Sequence, residues 1–176
     1  ALEHLRQIVA VVAVPVNADF EGGFAIDPAQ VAANVKLAVA TGIAGLSIKD
    51  STGDASHPLH DFELAVARIK AARQAIDETG RGALLTGRSE GFICGRPDIT
   101  ETIRRLQPYA EAGADCLYAP GIHKREDIAA VVAAVAPKPV NLLINTTFIT
   151  VAEAADLGVR RISTGASFAR AAPLPH

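Results

Sequence analysis

Three stretches of this chain repeat one figure: Ala40-Thr-Gly42-Ile-Ala-Gly-Leu-Ser-Ile48, Glu111-Ala-Gly113-Ala-Asp-Cys-Leu-Tyr118 and Asp156-Leu-Gly158-Val-Arg-Arg-Ile-Ser163. Each is the end of a helix, a glycine that can close it with a left-handed residue, and a short buried strand. Strands that alternate strictly with helices imply right-handed βαβ units around a parallel sheet covered by helices. That figure fixes the fold class as α/β before any single residue is considered.

The remaining segments fit the same alternation. Ala1-Leu-Glu-His-Leu-Arg has helical amphipathicity, and the apolar run from Ile8 to Val16 is expected to end as a strand buried on both faces. Asp27-Pro28 supplies an N-cap and a first-turn proline for the helix that Gly42 closes. A strand is expected from Ile43 to Ile48, a helix from Asp61 to about Glu78, and a strand from Ala83 to Thr86. Asp98 with Glu101 forms a capping-box pattern for a helix ending near Gly113, and Asp115 to Ala119 is the next strand. Arg125 to Val135 is helical, Pro139 to Ile144 is a strand, and Thr150 with Glu153 caps a short helix that Gly158 closes. A last strand from Arg161 to Thr164 precedes a helical stub and Pro173-Leu-Pro-His176.

Six parallel strands are therefore expected in one partial domain over residues 1–176: a (β/α)₈ TIM-barrel type that is incomplete, since such barrels use about 250 residues. Polar residues collect where strands end, at Asp19, Glu21, Lys49, Asp50, Arg88, Glu90, Asn145 and Ser167. In such a barrel that rim is the active-site face. No GxGxxG follows any strand, which argues against a dinucleotide site.

The balance of 17 basic and 19 acidic residues gives no nucleic-acid surface. No apolar run is long enough to span a membrane. Cys94 and Cys116 match no zinc spacing and suit a reducing cytoplasm, with Cys94 expected as an inert loop thiol and Cys116 in the core. His57 and His60 lie in one polar loop without a third partner and are expected to be solvated, while His123 is expected near the rim surface. The absence of Met, even at position 1, suggests a processed chain or a piece of a longer one.

The stretch that carries chemistry is Pro15-Val-Asn-Ala-Asp19-Phe-Glu21-Gly22-Gly23-Phe24. Strand alternation would place Asp19 and Glu21 on one side and Phe20 on the other. Two such carboxylates repel unless a cation sits between them, and Mg²⁺ or Mn²⁺, held by carboxylates, water and substrate oxygens, is the natural occupant. The alternative is a loop with two solvated acids. Gly22 and Gly23 allow a sharp turn and a close approach of backbone to a bound substrate.

These residues resemble the metal-site motif of the isocitrate lyase / phosphoenolpyruvate mutase superfamily. Gly42-Ile-Ala-Gly-Leu-Ser-Ile-Lys-Asp-Ser is similar to its next strand, and Gly87-Arg-Ser-Glu-Gly to its Ala-Arg-Thr-Glu/Asp-Ala segment. Glu111-Ala-Gly-Ala-Asp-Cys-Leu-Tyr-Ala-Pro-Gly and Leu157-Gly-Val-Arg-Arg-Ile-Ser-Thr-Gly-Ala-Ser-Phe-Ala-Arg-Ala also fit, so the resemblance covers essentially the whole chain. It implies a Mg²⁺-dependent barrel that breaks or forms C–C or P–C bonds beside a carboxylate through an enolate, and a homo-oligomer that swaps a C-terminal helix. It places Asp19 and Glu21 on metal-site carboxylates and Arg88 on the arginine that grips the substrate carboxylate. Glu90 and Asn145 are further candidates for catalysis and substrate binding, with Gly22 and Gly23 beside them; an Arg88 salt bridge to Glu90 or Asp50 is the structural alternative.

Three departures qualify what the resemblance implies. The family usually has Glu where Lys49 stands, and an ammonium about 4 Å from two carboxylates competes with a divalent ion by several kcal/mol. The cysteine loop of the lyase members is replaced by Ser51-Thr-Gly-Asp-Ala-Ser-His57-Pro-Leu-His60. Two N-terminal βα units and the swapped C-terminal helices have no counterpart. The expectation is a cytoplasmic Mg²⁺-dependent lyase or decarboxylase of a small 2-oxo or 2-hydroxy dicarboxylic acid, favouring oxaloacetate-type decarboxylation over isocitrate-type cleavage. Three alternatives stay open: phosphonate P–C chemistry, a Schiff base on Lys49, and an inactive unit in which the Lys49 ammonium replaces the metal.

Overall fold

The computed structural model describes residues 1–172. In chain order the elements are α1 (Leu2–Val11), β1 (Asn17–Asp19), α2 (Pro28–Val39), β2 (Gly45–Lys49), α3 (Phe62–Thr79), β3 (Leu84–Arg88), α4 (Ile99–Glu111), β4 (Cys116–Tyr118), α5 (Arg125–Val135), β5 (Val140–Leu143), α6 (Val151–Asp156), β6 (Arg161–Ser163) and α7 (Ser167–Ala171). The six strands form one sheet in sequence order, every pair parallel, curled into a half-barrel.

The repeated figure has a conformational basis. Gly42, Gly113 and Gly158 all take positive φ, at 93°, 103° and 93°, so each helix is turned back toward the sheet by a residue that carries no Cβ. Asp27 caps α2 by accepting from Gln30 N–H at 3.0 Å. Thr150 and Glu153 form both halves of the expected capping box. At Asp98 only half of it forms: the carboxylate accepts from Glu101 N–H at 3.1 Å. The Glu101 side chain instead turns to Arg104 and Arg105, two guanidiniums within reach on the same helix.

Period-two alternation divides the strands. Leu46, Ile48, Leu85, Leu117 and Leu142 point outward into a core completed by Val31, Val35 and Val39 of α2, Ile69, Ala72 and Ile76 of α3, Leu106 and Tyr109 of α4, and Ile128 and Val131 of α5. Each large apolar side chain so buried contributes about 1.5–3 kcal/mol. The intervening residues face the concave side and are largely polar.

The first strand corrects an expectation. The run from Ile8 to Val16 does not end as a strand buried on both faces: Val11 closes α1, Val14 is 67% exposed, and β1 begins at Asn17, where pairing with Gly45 starts. Helical propagation through the alanines and valines of α1 consumes the first part of the run, and register with β2 sets where the strand begins.

Candidate active site

The C-terminal ends of β1, β2 and β3 bring four charged side chains together. Asp19 ends β1, and Lys49 and Arg88 are register partners at the ends of β2 and β3. Glu90 lies two residues past β3, where it is buried. Arg88 Nη1 donates to Asp19 Oδ2 at 3.1 Å and its Nε donates to Glu90. Lys49 closes an ion pair with Glu21. Burial acts to lower the pKa of Arg88, but the charges of Glu90 and Asp19 outweigh it and hold the guanidinium above its ordinary value. At Lys49 burial likewise acts downward, and the hydrogen bond and charge of Glu21 raise it overall.

Asp19 and Glu21 do not share a side, contrary to the strand-alternation argument. The strand stops at Asp19, and Glu21 adopts φ 53° in the turn that follows. Asp19 therefore faces the concave cleft with Arg88, whereas Glu21 turns to Lys49 beside Gly22 and Arg68. A buried guanidinium holds this turn: Arg68 donates to the carbonyls of Gly22, Ala25 (2.9 Å) and Lys49 (3.3 Å). A Cβ on Gly22 would lie 2.8 Å from Arg68 Nη2, and one on Gly23, at φ 76°, 2.9 Å from Val31, so both glycines serve the turn itself.

This donor set does not fit a divalent ion as it stands. Among the described residues no three His, Cys, Asp or Glu side chains converge. Both carboxylates that could begin such a site are closed on cations of the chain, Asp19 on Arg88 and Glu21 on Lys49.

Behind the rim, Asp50 organises a buried network that the sequence left unread. Its Oδ1 accepts from Glu90 N–H at 2.8 Å, and its Oδ2 accepts from Tyr109 Oη at 2.8 Å and Arg105 Nη1 at 3.3 Å. Ser51 Oγ donates to Glu90 Oε2 at 3.2 Å. Arg88 therefore pairs with Glu90, while Asp50 is engaged elsewhere. His60 is buried, not solvated, because its own carbonyl takes Arg105 Nη1 at 3.0 Å and draws the loop inward. His57 is exposed, Cys116 is buried and Cys94 half-buried, both thiols free. His123 is exposed and packs edge-on against Phe148, with ring centroids 4.6 Å apart.

The concave cleft has a volume of about 250 Å³, and Asp19, Ser47, Arg88, Tyr118, Asn141 and Arg161 are among the side chains that line it. Asn145, the expected β5 residue, lies exposed beyond the strand, outside this lining; Asn141 is the asparagine that the alternation turns inward. The inward set Ser47, Thr86, Tyr118, Asn141, Arg161 and Ser163 belongs to the strands themselves and not to the loops that follow them, and the same period of two that identifies the core selects it.

The phosphoenolpyruvate phosphomutase family profile matches residues 1–174. A solved Burkholderia cenocepacia protein classed as a lyase/mutase is 42% identical, with a TM-score of 0.93 over 97% of this chain and 62% of that one. An oxaloacetate decarboxylase of Bradyrhizobium diazoefficiens is 32% identical over 145 residues, 75% of this chain and 46% of its own length. A phosphonopyruvate hydrolase solved with oxalate and Mg²⁺ is 29% identical, with a TM-score of 0.84 over 97% of this chain and 60% of that one. The chain spans about half the length of the curated relatives it matches.

Proposed function

Because the chain belongs to the phosphoenolpyruvate phosphomutase family, we propose that it serves a lyase or decarboxylase of a small 2-oxo or 2-hydroxy dicarboxylic acid, with the substrate carboxylate held on Arg88. The observation that carries this reading is the tethering of Arg88. Asp19 and Glu90 fix its Nη1 and Nε edges, which leaves Nη2 without a carboxylate partner among the described residues, on a side chain that lines the cleft. A guanidinium fixed in this way meets a carboxylate with its planar fork and little further ordering.

Loss of a carboxylate or cleavage of the adjoining C–C bond leaves an enolate, and its charge must face donors already in place. Since the carboxylates at Asp19 and Glu21 do not fit a divalent ion, this reading assigns no step to Mg²⁺ or Mn²⁺, and the developing charge falls to the cationic and hydroxyl donors of the cleft. Tyr118, whose pKa burial raises, stays protonated there and can donate. Glu90, tied to Arg88 and Ser51, sets the arginine's orientation. Phosphonate P–C cleavage passes through a comparable enolate and is the alternative within the same site.

A second reading is favoured by the Lys49–Glu21 pair itself: the ammonium stands as an internal counter-ion, and the chain binds carboxylates without turning them over. Assays with oxaloacetate and with phosphonopyruvate separate the two. Turnover that Arg88→Gln abolishes supports the enzyme; carboxylate binding without turnover of either supports the second reading.

The reading includes action in the cytoplasm, which the two free thiols suit, and self-association, which the exposed Val11 and Val14 suit. Among the described residues no helix is long and apolar enough to cross a membrane. Light scattering on the purified chain tests the association.

A further inference from the structure

We propose that Arg161 forms a second anion-binding subsite in the concave cleft, one that takes the carboxylate next to the hydroxyl of a 2-hydroxy dicarboxylic acid. The inference rests on the reading above, since it takes Arg88 to hold the other carboxylate.

Charge accounting singles out this residue. Near the concave face Asp19 and Glu90 pair with Arg88, Glu21 with Lys49, Asp50 with Arg105, and Asp115 with Arg73. Arg88 and Arg161 are the two cations lining the cleft, and among the described residues Arg161 makes no ion pair. Its Nη1 donates instead to a neutral group, Thr86 Oγ1, at 3.0 Å. A half-buried guanidinium without a counter-charge is a standing site for a carboxylate, which its fork can bind in a bidentate manner.

Position supports this. Arg161 reaches across the curve of the sheet from β6 to Thr86 on β3, two residues before Arg88 and on the same face. Two strand residues span roughly 7 Å. Both guanidiniums thus line one cleft of about 250 Å³, below the range of pockets for drug-sized ligands and suited to a small acid.

An independent observation assigns the hydroxyl. Asn141 is the register partner of Arg161, lines the same cleft and is 1% exposed. Its Nδ2 donates to Ser163 Oγ at 2.9 Å, but its Oδ1 is buried with no partner. A buried carbonyl oxygen lacking a donor calls for one from the ligand, and the 2-hydroxyl, carried beside the carboxylate on Arg161, supplies it without adding charge.

The test titrates malate, succinate and oxalate into the full chain by calorimetry. Arg161→Gln is expected to weaken malate by about tenfold or more while changing oxalate by less than about twofold, and malate is expected to bind more tightly than succinate. Side-chain N–H resonances of Arg161 and Asn141 in the unsubstituted chain are expected to move with malate and stay still with oxalate, a readout that needs no variant to fold. Equal malate affinity in Arg161→Gln and the parent overturns the subsite, as do silent resonances at saturating malate or no malate binding at all. If malate binds through Arg161 and no dicarboxylate is turned over, the subsite stands and the enzyme reading falls.

Discussion

Lys49 and Arg88 face one another as register partners on β2 and β3, and each closes an ion pair on a carboxylate delivered by β1 and its turn, Glu21 and Asp19 respectively. The end of the first strand and its turn are thereby held by one cation from β2 and one from β3. The pairs differ in exposure: the Glu21 side chain is 51% exposed, whereas the Glu90 that shares Arg88 is 4% exposed. Lys49→Met is therefore expected to cost less than about 1 kcal/mol in urea unfolding, as exposed pairs do. A larger loss would show that the ammonium has a structural task beyond Glu21.

The Asp50 network behaves in the opposite way. Asp50 and Arg105 are both buried, and Asp50 also takes Tyr109 Oη and Glu90 N–H. Removing one member leaves the other's charge buried without a partner, so Arg105→Met is expected to destabilise by about 3–5 kcal/mol. Asp50→Asn, which keeps an acceptor for Tyr109 but removes the charge, should cost less than Asp50→Ala. Equal losses in the two Asp50 variants would mean that the acceptor for Tyr109 adds nothing beyond the charge.

Arg68 pins the turn carrying Glu21 through three carbonyls, those of Gly22, Ala25 and Lys49. Arg68→Met keeps an unbranched apolar stem and removes these donors, for an expected loss of about 1–3 kcal/mol. Hydrogen exchange should accelerate locally at Gly22 to Ala25 before it does in α3. Uniform acceleration across the chain would assign Arg68 to the core instead.

Much of the fold was legible because it depends on local rules. The three glycines at 42, 113 and 158 announced the helix-to-strand turns, and Thr150 with Glu153 announced a cap. The site was less legible because its geometry depends on neighbours distant in sequence. Alternation predicted one face for Asp19 and Glu21, yet the strand ends between them, and cations 28 and 67 positions beyond Glu21, Lys49 and Arg88, decide where each carboxylate goes. The polar loop around His60 points to solvent, yet a guanidinium from α4, 45 residues away, draws it into the interior.

That burial gives a pH dependence. Burial first, then the nearby charge of Arg68, lowers the His60 pKa below its ordinary 6.5. The unfolded chain then takes up a proton before the folded chain does, so this contribution to stability is complete above about pH 6.5 and declines as pH falls from there toward the lower folded-state value. The unfolding midpoint should fall more steeply below about pH 6.5 in the parent than in His60→Gln. Parallel profiles would remove His60 as the origin.

On the reading proposed above, the rim holds carboxylates with cations of its own chain. Calorimetric titration of oxalate into the chain, once with a chelator and once with excess Mg²⁺, beside Lys49→Glu, tests it most directly. Equal oxalate affinity is expected under both conditions for the parent, with loss of binding in Arg88→Gln and Mg²⁺-dependent binding only in Lys49→Glu. Oxalate binding by the parent that requires Mg²⁺ would contradict it.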